Sequence, residues 1–210
     1  MNNLTLRIIS SFIIAPVFIL FIFLNSYFFY LLLLLLLFVG IYEIKFLIYK
    51  NIMHFISLCF ILIFFIFSLY ELRGYDNQNF YYLLWIFIII WLSDTGGFVV
   101  GKLIGGAKLT KWSPNKTVSG FCGSIFFSQF AFLFIHFKLN IEYSVKFFFI
   151  QFFISLITIF GDIFFSYLKR KNNLKDFSNI IPGHGGLLDR IDGMVFAVIF
   201  SNFLKFINVL

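Results

Sequence analysis

VKFFFIQFFISLITIFGDIFFSYLKR, residues 145–170, decides what kind of protein this is. A bilayer core about 30 Å thick takes about 20 predominantly apolar residues to cross as a helix, and this run meets that length with a single acid, Asp162, inside it. Whole-chain composition agrees. The 210 residues are 61% hydrophobic and 12% charged, with a mean hydropathy of +1.00, whereas soluble domains carry about 25% charged residues. The expected class is an all-α, polytopic integral membrane protein.

Working outward, comparable runs lie near 6–24, 27–42, 54–70, 80–93, 119–137 and 191–210, making about seven transmembrane helices. The first run has no small-residue cleavage site after it and is longer than a signal peptide's apolar core, so it reads as retained. Residues 96–106, GGFVVGKLIGG, are too short to span alone and either re-enter the membrane or extend the fourth helix. With the N-terminus cytoplasmic, twelve of the sixteen Lys and Arg fall on the cytoplasmic side, as the positive-inside rule requires. The chain reads as one membrane-embedded domain, with N-terminal helices over 1–93 and the chemistry over 94–210. Cys59 and Cys122 lie in apolar segments without ligand partners and read as small buried hydrophobes, not a disulfide or a zinc site.

Two polar loops, 94–118 and 166–190, then share the cytoplasmic face, where the chain's +7 net charge suits anionic head groups or nucleotide phosphates. In the first loop Gly96 to Lys102 imitates a phosphate loop, but Leu103 stands where a magnesium-holding Ser or Thr belongs and no strand precedes it. What remains is Asp94-Thr95 at a helix end and Ser113-Pro114-Asn115-Lys116-Thr117 just before the next helix, able to bind an anion at a helix N-terminus or to serve as an ordinary N-cap.

The second region is richer. An acid inside a membrane helix is costly and usually functional, and Asp162, Ser166 and Lys169 or Arg170 recur at helical spacing. Lys175-Asp176, His184-Gly185-Gly186, Asp189-Arg190 and Asp192 follow. Carboxylates at 162, 189 and 192 can gather Mg2+, which prefers oxygen ligands; the cations offer counter-charge to a polyphosphate, and Gly185-Gly186 let backbone approach a bulky anion. A magnesium–nucleotide site and a salt-bridged juxtamembrane loop both fit this spacing.

SYLKRKNNLKDFSNIIPGHGGLLDRID, Ser166 to Asp192, resembles the signature of phosphatidate cytidylyltransferases, also called CDP-diacylglycerol synthases, at Ser166, Lys169, Arg170, Lys175, Asp176, Ser178, Pro182, His184, Gly185, Gly186, Asp189, Arg190 and Asp192. Asp94-Thr95-Gly96 and Ser113-Pro114-x-Lys116-Thr117 resemble the family as well. The likeness is specific over about 94–193. Three positions depart from it: Phe165 where the family usually has Glu, Asn115 where Lys is frequent, and Ser119-Gly120 where Glu-Gly is frequent.

The resemblance implies that CTP and phosphatidate give CDP-diacylglycerol and pyrophosphate, with Mg2+, or two divalent or mixed metal ions, as cofactor. It implies Asp162 and Asp189 as metal ligands, with Asp192 coordinating directly or lying just behind them. Lys169, Arg170, Lys175 and Arg190 would neutralise phosphates, and Lys175 and Arg190 would join the two aspartates in catalysis. Ser113, Lys116, Thr117, Ser166, Asp176, Gly185 and Gly186 would contact substrate, and Asp94 would orient a lysine or a metal-bound water. His184 has two readings, a catalytic or phosphate contact and a loop-ordering hydrogen bond. Expected partners are CTP, phosphatidate and the bilayer, with a homodimer compatible and nucleic acid not expected. The expected location is the cell (inner or plasma) membrane.

Competing readings are a CTP-dependent lipid or polyprenol kinase, which would release CDP, and a transporter or channel, which would line a mid-membrane path with charge. Only Asp162 is placed deep enough for the latter. The D-G-x-x-A-R pattern of CDP-alcohol phosphatidyltransferases fails after Asp192-Gly193.

Overall fold

The computed structural model describes residues 26–45, 47–74, 77–180 and 185–210. The described residues form α1 (Ser26–Ile44), α2 (Leu47–Lys50), α3 (Ile52–Arg73), α4 (Asn77–Ile104), α5 (Val118–Ser128), a 3-10 turn (Gln129–Ala131), α6 (Phe132–Leu139), α7 (Val145–Lys171) and α8 (Leu188–Phe206). No strand occurs among them; one isolated antiparallel bridge joins Lys108 to Thr117. The protein is an all-α, polytopic membrane protein.

Five segments are long and apolar enough to cross a membrane: Tyr27–Ile44, Ile52–Arg73, Asn79–Ile104, Val118–Leu139 and Val145–Lys171. They correspond to five of the seven expected spans. The run at 6–24 lies outside the described residues. The last, expected at 191–210, is a 19-residue helix with Asp189, Arg190 and Asp192 in its first turns and Lys205 in its last; it is not among the five. Exposed Phe, Leu and Ile side chains along the spans are what a lipid-facing surface requires.

α4 is the central element, touching α3, α5, α6, α7 and α8 and burying Trp85, Phe87 and Ile89 completely. The glycine-rich run 96–104 extends this helix to Ile104. Its glycines are a packing stripe. A Cβ at Gly96 would lie 2.5 Å from Phe127 Cβ, one at Gly120 would lie 2.7 Å from the Gly97 carbonyl, and one at Gly123 would lie 2.5 Å from Val100 Cβ. Small residues let membrane helices approach this closely, so Gly96 to Lys102 serves helix contact.

The fifth span is interrupted at Gln129–Ala131. Beside the break, the fully buried Gln151 of α7, with its amide oriented to suit its neighbours, accepts from Phe132 N at 2.7 Å and Trp85 Nε1 at 3.3 Å and donates to Gln129 Oε1 at 3.1 Å. A side chain entering the helical ladder is a common cause of such a break. Cys59 is half-buried and Cys122 exposed, so the burial expected of Cys122 is not found: its position on α5 faces outward.

Candidate active site

Helices α4, α5, α7 and α8 bring the polar residues together at one end of the bundle. α7 and α8 cross at two glycines. A Cβ on Gly161 would meet the Asp192 carbonyl at 2.8 Å, and one on Gly193 would meet Asp162 Oδ1 at 2.8 Å. This crossing sets the acids on either side of it against each other: the Asp162 and Asp192 side chains are within hydrogen-bond reach, and Asp94 of α4 lies within electrostatic range of both.

Two lysines flank these acids. Lys116 Nζ pairs with Asp162 Oδ2. The segment carrying Lys116 is held by Leu109 N donating to Lys116 O at 2.8 Å and Val118 N donating to Ala107 O at 2.9 Å, while Trp112 stacks edge-on against Tyr167 of α7, ring centroids 4.9 Å apart. Thr117 caps α5, its Oγ1 accepting from Gly120 N at 3.1 Å and lying 3.0 Å from Ser119 Oγ. The N-cap reading of Thr117 therefore holds, and Thr117 also lines a cavity of about 280 Å³ together with Asp94, Ser113, Asn115, Lys116 and Asp162.

The second lysine, Lys169, is buried. Its Nζ lies 2.7 Å from Asp189 Oδ1 and 3.7 Å from Asp192 Oδ2. Asp189 Oδ2 accepts from Phe177 N and Gly186 N, both at 2.9 Å. One carboxylate thus ties the end of α7, the loop after it and the start of α8 into a unit. Gly185 has φ +86°, and a Cβ there would also press to 3.2 Å on Asp176, so backbone conformation and space both require glycine.

The structure brings together Asp94, Ser113, Lys116, Thr117, Asp162, Lys169, Gly185, Gly186, Asp189 and Asp192. Of the two cations offered by helical spacing, Lys169 faces inward. Arg170 is exposed and donates to Leu174 O at 3.2 Å. Lys175 and Arg190 are exposed, and Ser166 and Asp176 half-buried. His184 lies outside the described residues. Phe165, at the position where Glu was noted as usual, is fully buried and packs with Phe177 and Phe196 at centroid distances of 6.0 and 6.1 Å.

Among the described residues no three His, Cys, Asp or Glu side chains already converge as a metal site. The donor chemistry nevertheless suits a hard cation: Asp162 and Asp192 are oxygen donors within reach of each other, with Asp94 in electrostatic range and Lys116 and Lys169 beside them. Asp189 differs, since both its oxygens are already engaged.

Glu43 went unnoticed in the sequence. It is 2% exposed, sits near the end of α1, and reaches the second loop. Its only sequence signal is an acid near the end of an apolar helix.

Residues 45–207, most of the chain and every site residue above except Glu43, match the cytidylyltransferase family. The chain belongs to that family. Among its relatives is a protein of Helicobacter pylori (strain ATCC 700392 / 26695) called phosphatidate cytidylyltransferase, 40% identical over 118 residues, which are 56% of this chain and 44% of that protein. Proteins of the same name from Bacillus subtilis (strain 168) and Staphylococcus aureus (strain N315) are each 38% identical, over 138 and 142 residues; each alignment covers 64% of this chain, and 51% and 52% of the relatives. The chain spans about half the length of the curated relatives it matches. Within this cytidylyltransferase-family region lie Lys116 and Lys169 with their carboxylate partners.

Proposed function

We propose that the protein transfers a cytidylyl group from CTP to phosphatidate, giving CDP-diacylglycerol and pyrophosphate. The observation that carries this reading is the convergence of Lys116–Asp162 with Lys169–Asp189–Asp192 at one end of a membrane bundle, beside a cavity lined by Asp94, Lys116, Thr117 and Asp162 among apolar neighbours. The family and the three relatives' names support it.

In this reading a phosphate oxygen of phosphatidate attacks the α-phosphorus of CTP, the bond from that phosphorus to the bridging oxygen breaks, and pyrophosphate leaves. The attacking oxygen is already anionic, so no strong general base is needed. The barrier lies in bringing anions together, and Lys116 and Lys169 lower it by supplying positive charge held in place by carboxylates. Asp162 and Asp192, with Asp94 beside them, are the residues that would hold Mg2+; a bound divalent ion would offset charge on the reacting phosphates. Asp189 keeps Lys169 aimed, and Gly185-Gly186 leave room for phosphate against backbone.

For the lipid, a groove of about 530 Å³ runs between α3, α7 and α8, lined by Phe64, Phe67, Phe160, Phe196, Phe200 and Phe203. Phe160 and Phe196 stand next to the Gly161–Gly193 crossing, so an acyl chain in the groove would leave its phosphate near Asp162. The site-bearing loops face the cytoplasm in this reading, because most of the basic residues accompany them.

The test is a membrane assay with phosphatidate, CTP labelled at the α-phosphate, and magnesium. Label in a lipid that co-migrates with CDP-diacylglycerol, with release of pyrophosphate, is expected. Phosphorylated lipid with CDP release would identify a kinase, and no labelled product from correctly inserted protein would reject the reading.

A further inference from the structure

Glu43 is buried near the last turn of α1, outside the residues that match the family, and carries no ion pair among the described residues. Its carboxylate is satisfied by three neutral donors 135 to 145 positions away. Oε1 accepts from Ser178 Oγ at 2.8 Å and Leu187 N at 2.6 Å, and Oε2 accepts from Leu188 N at 2.8 Å. Gly186 packs against it so closely that a Cβ would fall 2.7 Å from both carboxylate oxygens.

The donors are not scattered. Leu187 N and Leu188 N are free N–H groups at the start of α8, where a negative charge also meets the positive end of the helix. Ser178 lies at the other end of the same loop. The neighbouring Gly186 N–H goes to Asp189 Oδ2, and Asp189 Oδ1 holds Lys169. A carboxylate from α1 therefore ties Ser178 to the start of α8, next to Phe177 N and Gly186 N, which hold the acid that aims the buried lysine. A helix cap alone would need one acceptor at α8. Glu43 bridges three elements and leaves its neighbour's N–H pointing at the acid that orients Lys169.

We propose that Glu43 is a positioning residue for the reaction, tying Ser178 to Leu187 and Leu188 at the start of α8 so that Asp189 and Lys169 keep the geometry described above; this rests on the cytidylyl-transfer reading above. Gln at 43 keeps the volume but turns one acceptor into an NH2 facing a donor. A hydrogen bond to a charged group contributes enough that its loss breaks the tie between Ser178 and the start of α8 about tenfold to 100-fold more often.

The experiment compares full-length wild type, E43Q and, as a control at the opposite end of the bundle, E71Q. Two readouts are taken in detergent–lipid micelles. Hydrogen exchange of backbone amides in peptides covering 178–190, without substrate, is expected to speed up in E43Q alone. In the labelled assay, the KM for CTP in E43Q is expected to rise about tenfold, a change that loss of folded protein cannot produce, because fewer active molecules lower only the apparent kcat. Unchanged KM and unchanged exchange would overturn the proposal, as would faster exchange with wild-type KM. If wild type forms no labelled lipid, the reaction reading fails, and exchange alone decides: faster exchange in E43Q supports the tie and unchanged exchange rejects it. Should E43Q fail to insert, S178A, which removes one of the three contacts, carries the same test with a smaller KM rise expected, about threefold to tenfold.

Discussion

Lys169 and Asp189 form the most buried ion pair among the described residues, Nζ to Oδ1 2.7 Å, with side-chain exposures of 11% and 2%. Breaking a buried pair by removing one partner strands the other charge and costs about 3–5 kcal/mol. D189N and K169M are each expected to lower the melting temperature in detergent and to abolish labelled-lipid formation. The double variant K169M/D189N should be less destabilised than the sum of the singles, because neither charge is then stranded. Additive losses would show that the two side chains do not depend on each other.

Lys116 and Asp162 make the opposite case. They are partly exposed, 29% and 20%, and an exposed pair contributes about 0–1 kcal/mol. K116M should therefore leave the melting temperature nearly unchanged while lowering labelled-lipid formation at least 100-fold, if Lys116 supplies charge to the reacting phosphates at about 2.7 kcal/mol or more. Activity near wild type in K116M would remove Lys116 from the chemistry.

Metal dependence is expected through the acids that are not fully engaged. EDTA is expected to stop labelled-lipid formation and excess Mg2+ to restore it. D162N and D192N should shift half-activation to higher magnesium, since each removes one oxygen charge from the donor set. D189N, whose wild-type oxygens face Lys169 and two backbone N–H groups, should remain inactive at any magnesium concentration. Rescue of D189N by magnesium would instead mark Asp189 as a metal ligand.

Phe165 tests how this chain accommodates its departure from the family pattern. It is fully buried against Phe177 and Phe196. Restoring the acid with F165E would bury an unpaired carboxyl among aromatic rings and is expected to cost more than about 3 kcal/mol. F165L, close in volume, should cost under about 1.5 kcal/mol. Thermal melts of both in detergent distinguish a packing role from an absent functional acid.

Much of this was legible in the sequence, and the pattern of what was not has a physical cause. Hydropathy finds helices such as Ile52–Arg73 because every membrane-embedded backbone group must be bonded within its own segment. Asp162 stood out because a charge in an apolar run is costly. Partner choice was not readable. Helical spacing offered Lys169 and Arg170 equally, and only tertiary packing turned Lys169 inward. Glu43 was missed because its donors lie over a hundred residues away and two of them are backbone N–H groups, which no side-chain pattern announces. The break at Gln129–Ala131 likewise depends on Gln151, from a different helix.

Gly161 and Gly193 were equally silent in sequence, yet their crossing is what sets Asp162 beside Asp192. A methyl at Gly161 would meet backbone, the Asp192 carbonyl at 2.8 Å and Gly193 Cα at 3.1 Å, so neither partner can turn away as a flexible side chain would. G161A must push α7 from α8, at about 1–3 kcal/mol for overpacking, and the same displacement separates the two carboxylates. The expected result is a modest fall in melting temperature with a much larger loss of labelled-lipid formation, about 100-fold, since small misplacement of reacting groups is costly. A proportionate loss of both would mean that the crossing serves stability alone, and that the acids find their places without it.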